Sequence, residues 1–137
     1  HKRGVIMDVG HGAGSFKFDV AQAALEHGFF PDVISTDIYT SNVDGPVFDL
    51  PTTMSKMLNL GMPISDVIAS TTSIPARVIG RDDLGTLRPG SVADVAVFER
   101  QSGSFEFCDS HGDMRRYPQR LVCKHTVRDG HLWYSAE

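Results

Sequence analysis

The chain has 137 residues, about the size of one average domain. Its 41% hydrophobic and 22% charged residues are typical of a globular protein and exclude a disordered one. The formal net charge is −4 and no basic cluster exceeds Arg115-Arg116, so we expect neither a nucleic-acid partner nor an anionic membrane surface.

The first predicted elements form a βαβ unit. Residues 4–9 are a short apolar run, which predicts a buried strand because a sheet covered on both faces favours continuous hydrophobicity. A glycine-rich loop follows at 11–16, and a helix is predicted from its N-cap Asp19 to His27, with Gly28 ending it. Residues 31–37 predict a second strand, parallel to the first, since the spacing between them is typical of a helical crossover.

Helices and then short strands are predicted for the rest of the chain. After an irregular loop, helices are predicted at 49–60, at 64–71 and, with Ser73 as its cap, at 73–79. From about residue 84 the pattern changes to β-like runs, which predict strands at 93–98, 105–107, 121–126 and 131–134. Asp129-Gly130 is typical of a two-residue hairpin turn, and the polar stretch 108–120 predicts a loop.

Two cysteines, Cys108 and Cys123, are too few for a disulfide framework or a four-cysteine metal site. We expect both to be reduced thiols in a cytoplasmic protein, with a disulfide between them left open. No apolar run approaches the ~20 residues of a membrane helix, so no membrane association is expected.

The candidate chemistry lies directly after the two predicted parallel strands. Ligands bind beyond the carboxyl ends of parallel strands, so His11 and Asp37 are expected on one face of the sheet. Such a pair could coordinate a metal, transfer protons or hold a substrate. Equally, His11 could be held by backbone hydrogen bonds in its glycine loop, and Asp37 could be a turn residue. Phosphate-loop and serine-elbow spacings are both missing.

Three motifs together resemble a known family. They are D-V-G-H-G-A-G-S-F at 8–16, P-D-V-I-S-T-D at 31–37 and S-K-M-L-N-L-G-M at 55–62. The chain resembles the amidohydrolase/deacetylase metallohydrolases, in the dihydroorotase-like part of the amidohydrolase superfamily. The resemblance continues through T-S-I-P-A at 72–76 and L-G-T-L-R-P-G-S-V-A-D at 84–94, so it covers roughly residues 3–99.

The resemblance implies an α/β fold, the C-terminal part of a metal-dependent (β/α)8 TIM barrel. Residues 4–9 would be barrel strand 7 and residues 32–36 strand 8, with residues 1–83 in the barrel domain. Residues 84–137 would be the C-terminal part of a small β-sandwich that the family builds from both chain ends. Because a barrel needs ~200–250 residues, we expect a C-terminal segment of a longer amidohydrolase. Its partner would be the missing N-terminal part of the barrel, and a homo-oligomer is left open.

The resemblance also implies one or two divalent metals, usually zinc, with most ligands outside this segment. Asp37 matches the aspartate of strand 8, which would bind the metal and act as general base and acid on its water. His11 matches the histidine of the strand-7 loop, which we assign to substrate binding or active-site shaping. The other residues assigned to the substrate site are Gly10, Gly12, Ser15 and, where many relatives have histidine, Tyr39.

The implied function is hydrolysis of an amide or ester bond in a small N- or O-acyl compound, as in a deacetylase. We expect the segment alone to be inactive. One alternative is a dihydroorotase- or hydantoinase-like cyclic amidohydrolase, against which the His11 loop argues. The other is a non-catalytic structural segment or assembly partner, which the missing His-x-His pair would suit.

Overall fold

The computed structural model describes residues 3–136, and all bounds below refer to these residues. The helices precede the strands, in agreement with the change of pattern predicted near residue 84. In chain order the elements are α1 (Phe18–Glu26), α2 (Leu50–Asn59), α3 (Ile64–Thr71), α4 (Ser73–Val78), β1 (Val95–Cys108), β2 (Met114–Arg128) and β3 (His131–Ser135).

Two extended segments, residues 7–12 and 32–36, lie side by side and parallel. They share the bridge Asp8↔Val33, and the amide of Gly12 donates to the carbonyl of Thr36 over 3.0 Å. The parallel relation predicted for the two strands is therefore confirmed. Neither segment forms a continuous strand, because Gly10 at φ 42° and Gly12 at φ 55° turn the first one out of the β conformation.

Burial of the first predicted strand is not found within the described residues. Val5 and Ile6 are about half exposed, whereas Ile34 of the second segment is buried. The continuous apolar run was expected to lie inside a covered sheet, and the described residues pair it only with the segment at 32–36.

The predicted capping of α1 by Asp19 is wrong. The N-cap is Lys17, and Asp19 lies in the first turn, where its carboxylate pairs with Arg115. The amide of Phe18 instead donates to Oδ2 of Asp109 over 3.1 Å, from the turn between β1 and β2. A helix start normally leaves its first amides unpaired, and here a distant carboxylate accepts from one of them.

The later helices agree closely with the predicted ranges. At α2 the Asp49 carboxylate accepts from the amide of Thr52 over 2.7 Å, and Pro51 lies in the first turn as predicted. Ser73 is the first residue of α4 rather than its cap, because Thr72 occupies that position without a side-chain hydrogen bond.

The three strands form one antiparallel sheet in the order β1-β2-β3. The two separate strands predicted at 93–98 and 105–107 are one strand of 14 residues, and the loop predicted over 108–120 is wrong, since β2 begins at Met114. Polar residues stay in strand conformation there because they pair across the sheet, as Arg116 does with Glu106. The predicted turn at Asp129-Gly130 is confirmed, with φ of 48° and 74°.

One hydrophobic core joins the helices to the sheet. It includes Phe18, Met54, Met57 and Val67 from the helices together with Phe107 and Leu121 from the strands. The α2 helix is fastened to β2 by polar contacts as well, since the amide of Leu121 donates to Oγ of Ser55 over 2.8 Å. The division into domains at residue 83 stays a prediction.

Two further expectations concern the whole chain. Cys108 and Cys123 are free thiols, as expected. Among residues 3–136 no helix is long and apolar enough to cross a membrane.

Candidate active site

The glycine-rich loop folds around its own histidine. His11 is fully buried, and its ring stacks on Phe16 with the ring centroids 4.6 Å apart. Its Nδ1 lies 2.9 Å from the carbonyl oxygen of Gly12, and its Nε2 lies 2.8 Å from Nζ of Lys56. Burial, and then the charge of Lys56, lower the pKa of His11 from 6.5 to about 4. The ring is therefore neutral at pH 7, and both nitrogens have partners inside the protein.

Lys56 is a fully buried cation on α2. Its Nζ donates to the carbonyl oxygens of Pro46 and Cys108, each over 2.7 Å, in addition to its contact with His11. Burial lowers the pKa of Lys56 from 10.5 to about 8, so the side chain is still mainly charged at neutral pH. Sequence reasoning included Lys56 in a motif but missed this role. The available signal was a lysine among the apolar residues of an amphipathic helix.

Asp37 follows the second extended segment in a left-handed backbone conformation, with φ 47°. The fully buried Asn42 holds this turn, because its Nδ2 donates to the Asp37 carbonyl over 2.9 Å and its Oδ1 accepts from the Tyr39 amide over 2.8 Å. Aspartate is among the few residues that adopt this conformation readily. Sequence reasoning did not select Asn42, since its partners are defined only by the fold of the loop.

The carboxylate of Asp37 lies against the glycine loop and is exposed to solvent. A Cβ atom placed on Gly12 would lie 2.8 Å from Oδ2 of Asp37 and 3.5 Å from Oγ of Ser15. The two motifs expected on one face of the sheet therefore do meet, at Gly12, Ser15 and Asp37.

The remaining residues assigned from the sequence lie around this point. Gly10 is adjacent to the hydroxyl of Ser35, which donates to the Asp8 carboxylate over 2.5 Å. Tyr39 is about half exposed, and its backbone amide donates a hydrogen bond to Oδ1 of Asn42. Substrate contact by Gly10, His11, Gly12, Ser15 and Tyr39 stays a prediction.

Metal binding by Asp37 stays a prediction. Residues 3–136 contain no group of three or more His, Cys, Asp or Glu side chains that could hold a metal ion. His11 is not a free ligand, because both of its ring nitrogens are engaged. Asp37 is exposed, and carboxylate oxygens are ligands that suit a hard or borderline divalent cation.

Comparison with known proteins gives a consistent set of relatives. A sequence model of the amidohydrolase family matches residues 14–131. Over 124 residues, 90% of this chain and 31% of the relative, the chain is 43% identical to a deacetylase of Brucella anthropi. It is 37% identical to a deacetylase of Enterococcus faecalis, covering 97% of this chain and 36% of that protein. A dihydroorotase of Methanopyrus kandleri is 29% identical over 99 residues, 71% of this chain and 21% of that protein.

The chain resembles parts of solved structures over almost its whole length. A crystal structure of an adenine deaminase superposes with a TM-score of 0.94 at 37% identity, covering 98% of this chain and 37% of that one. A crystal structure of a dihydroorotase gives a TM-score of 0.84 at 36% identity, covering 97% and 35%. The chain thus spans about a third of the length of the deacetylases it matches.

Proposed function

Because the chain belongs to the amidohydrolase family, we propose that the protein containing it is a metal-dependent hydrolase of amide or ester bonds in small N- or O-acyl compounds. The observation that carries this proposal is the exposed Asp37 carboxylate beside Gly12 and Ser15, beyond the paired extended segments. The deacetylase-named relatives, more similar than the dihydroorotase, support acyl compounds as the substrate class.

We assign the paired segments at 7–12 and 32–36 to strands 7 and 8 of a (β/α)8 barrel. Their parallel contact supports this, as does the likeness to chains of about three times the length. Strands β1, β2 and β3 would then belong to a small β-sandwich beside the barrel. Catalytic groups of such barrels lie beyond the carboxyl ends of the strands, and Asp37 occupies that position.

Asp37 would hold the metal and carry the proton. Asp37 would be a ligand of a divalent metal, for which zinc is our assignment and which would supply Lewis-acid activation of water. The Asp37 carboxylate accepts a proton from the attacking water and passes it to the departing amine or alcohol. Its solvent exposure keeps its oxygens accessible for both tasks.

The residues beside Asp37 would shape the pocket. Gly12 leaves the space that the carboxylate occupies, since any side chain there would overlap Oδ2 of Asp37. His11 is buried and neutral, so its role is to hold the loop. Ser15 and Tyr39 are exposed and are the candidates for substrate contact. We expect the segment alone to be inactive because residues 3–136 contain no group of three or more side chains that could hold a metal ion.

A second candidate is ring opening of a cyclic amide, which the likeness to a dihydroorotase structure favours. The two functions share the same carboxylate and differ in the substrate. A non-catalytic assembly role is the third outcome that an assay must be able to reveal.

The test uses the full-length protein loaded with zinc. We expect it to hydrolyse members of an N-acetyl amino acid panel and to leave dihydroorotate intact. Asp37→Asn should lower kcat about 10²- to 10⁴-fold, the usual contribution of a general base. Asp66→Asn is the matched control, since this carboxylate is exposed on α3 and should leave kcat unchanged.

Each contrary result has a distinct meaning. Full activity of Asp37→Asn would refute the assignment of the carboxylate. Opening of dihydroorotate in place of acyl hydrolysis would support the second candidate. Inactivity of the zinc-loaded protein on both substrate classes would support the assembly role.

A further inference from the structure

Three segments around Asp37 converge on the ammonium group of Lys56. The glycine loop contributes Nε2 of His11 at 2.8 Å, the loop after Asp37 contributes the carbonyl of Pro46 at 2.7 Å, and the end of β1 contributes the carbonyl of Cys108 at 2.7 Å. A lysine ammonium has three protons and no acceptor. The three partners therefore use its full donor capacity.

Donation by Lys56 determines where the His11 proton lies. Because an ammonium only donates, Nε2 of His11 is the acceptor and carries no proton. The neutral ring must then be protonated at Nδ1, which donates to the carbonyl of Gly12 over 2.9 Å. A ring protonated at Nε2 would place an N–H donor against the Lys56 ammonium, which is also a donor. The Gly12 carbonyl would then lose its hydrogen bond from Nδ1.

The Gly12 peptide is in turn the neighbour of the Asp37 carboxylate. Its amide donates to Thr36, the residue before Asp37, over 3.0 Å. Its α-carbon lies so close to Asp37 that a Cβ would stand 2.8 Å from Oδ2. Holding the His11 ring in place therefore also holds the Gly12 peptide, which packs against the Asp37 carboxylate.

Lys56 also contacts the loop that follows Asp37 in the chain. The loop whose Pro46 carbonyl it holds contains Asn42, which donates to the Asp37 carbonyl over 2.9 Å. The carbonyl of Asn42 accepts from the amides of Gly45 and Val47, each over 3.2 Å, so Asn42 and Pro46 belong to one hydrogen-bonded loop. Displacement of Pro46 would thus be transmitted to the turn that places Asp37 at φ 47°.

We propose that Lys56 is a positioning residue for Asp37. Its ammonium selects the Nδ1-protonated form of His11 and joins the glycine loop to the 38–47 loop, so that the Asp37 carboxylate is held in place for proton transfer. This inference rests on the proposed function of Asp37. Lys56 itself acts only through His11 and Pro46.

Lys56→Met and Ser55→Ala separate positioning from simple support of the fold. Lys56→Met keeps an unbranched apolar side chain and loses all three donors. Ser55 is the neighbouring buried residue of α2, and its hydroxyl accepts from Leu121 and donates to the Pro51 carbonyl over 2.6 Å. Ser55→Ala therefore removes buried hydrogen bonds of the same helix without touching either loop at Asp37.

The kinetic test uses full-length, zinc-loaded protein and an N-acetyl amino acid that it turns over. We expect Lys56→Met to lower kcat about a hundredfold, the effect of a displacement of about 1 Å at a reacting group, with KM little changed. Ser55→Ala should lower Tm and leave kcat intact. His11→Asn, which has a donor for Gly12 but no ring acceptor, should add nothing further to the loss in kcat caused by Lys56→Met.

The spectroscopic test does not depend on activity. In full-length protein labelled with ¹⁵N-histidine, the His11 ring, identified by its loss in His11→Asn, should be neutral and protonated at Nδ1. In Lys56→Met the Nε2-protonated form should become populated. A wild-type ring protonated at Nε2 would overturn the inference even if Lys56→Met failed to fold.

Failure of this inference is distinguishable from failure of the proposed function. If Asp37→Asn is inactive while Lys56→Met retains kcat, the assignment of Asp37 is kept and the positioning role of Lys56 is refuted. The positioning role is also refuted if the kcat losses of Lys56→Met and His11→Asn multiply in the double variant. If Asp37→Asn retains full activity, the proposed function is refuted, and the positioning role with it.

Discussion

The candidate site and strand β3 differ in how far their side chains are buried. Around the site, the polar residues His11, Asn42 and Lys56 are fully buried, and each makes hydrogen bonds to more than one partner or segment. In β3 every residue is exposed, including the apolar Leu132 at 65% and Trp133 at 71%. Buried polar groups with complete hydrogen bonding specify one arrangement, whereas exposed side chains specify little.

This difference indicates where substitutions matter. The loops at Asp37 owe their shape to contacts that the chain makes with itself, so small changes there should alter chemistry and stability together. Strand β3 is tied to the molecule by its pairing with β2 and by the Arg128 guanidinium, 5.3 Å from the centre of the Trp133 ring. Changes to its side chains should therefore have small effects on stability.

Within this comparison of the site with β3, the largest effect is expected from Gly12→Ala. The new Cβ would lie 2.8 Å from Oδ2 of Asp37, so the carboxylate must move, and kcat of the full-length protein should fall at least about a hundredfold. The matched control is Gly28→Ala, which has a similar positive φ of 73° and nothing within 4 Å of its Cβ. Both variants should lose about 1–2 kcal/mol of stability from backbone strain. Equal kcat values for the two variants would contradict the steric argument.

The next effect is a loss of stability in acid caused by His11. Its pKa is about 4 in the folded protein against 6.5 when exposed, so the unfolded state binds more protons between these values. Stability contributed by the neutral ring is complete above pH 6.5 and falls as the pH drops towards 4, by up to about 3 kcal/mol.

Urea unfolding at several pH values measures this slope. His11→Asn should remove the part of the slope between pH 6.5 and 4, because asparagine does not titrate. Leu132→Ala, at an exposed position of β3 that carries no titratable group, should leave that slope unchanged. An identical slope in wild type and His11→Asn would show that the ring is not buried in neutral form.

The smallest effect is expected on the exposed strand. Trp133→Ser should change the free energy of unfolding by no more than about 0.5 kcal/mol, the usual range for a surface position. Met54→Ala, which truncates a side chain only 1% exposed, should cost about 2–5 kcal/mol. Comparable losses in the two variants, measured by urea unfolding, would show that β3 contributes to the core after all.

Local patterns predicted the helices and the relation of the two extended segments. Helices α2 and α4 were predictable because each has a proline in its first turn and a glycine directly after its C-cap. The parallel contact at Asp8 and Val33 followed from the length of the crossover. The Asp129-Gly130 turn followed from the two residues themselves.

Long-range partners explain what the sequence did not predict. The acceptor at the start of α1 is Asp109, 91 residues from Phe18, and in the first half of β2 Arg116 pairs with Glu106 across the hairpin. The partners of Lys56 could not be predicted because two of its three acceptors are backbone carbonyls, which no residue type signals. For His11, the contact with the Gly12 carbonyl corresponds to the backbone-held arrangement that the sequence left open.

The most direct test of the account is anomalous diffraction from crystals of the full-length protein containing zinc. We expect a zinc peak about 2.0–2.2 Å from an oxygen of Asp37, with His11 still hydrogen-bonded to Lys56 and absent from the coordination sphere. A bound zinc that leaves the Asp37 carboxylate unliganded, or that takes His11 as a ligand, would contradict it.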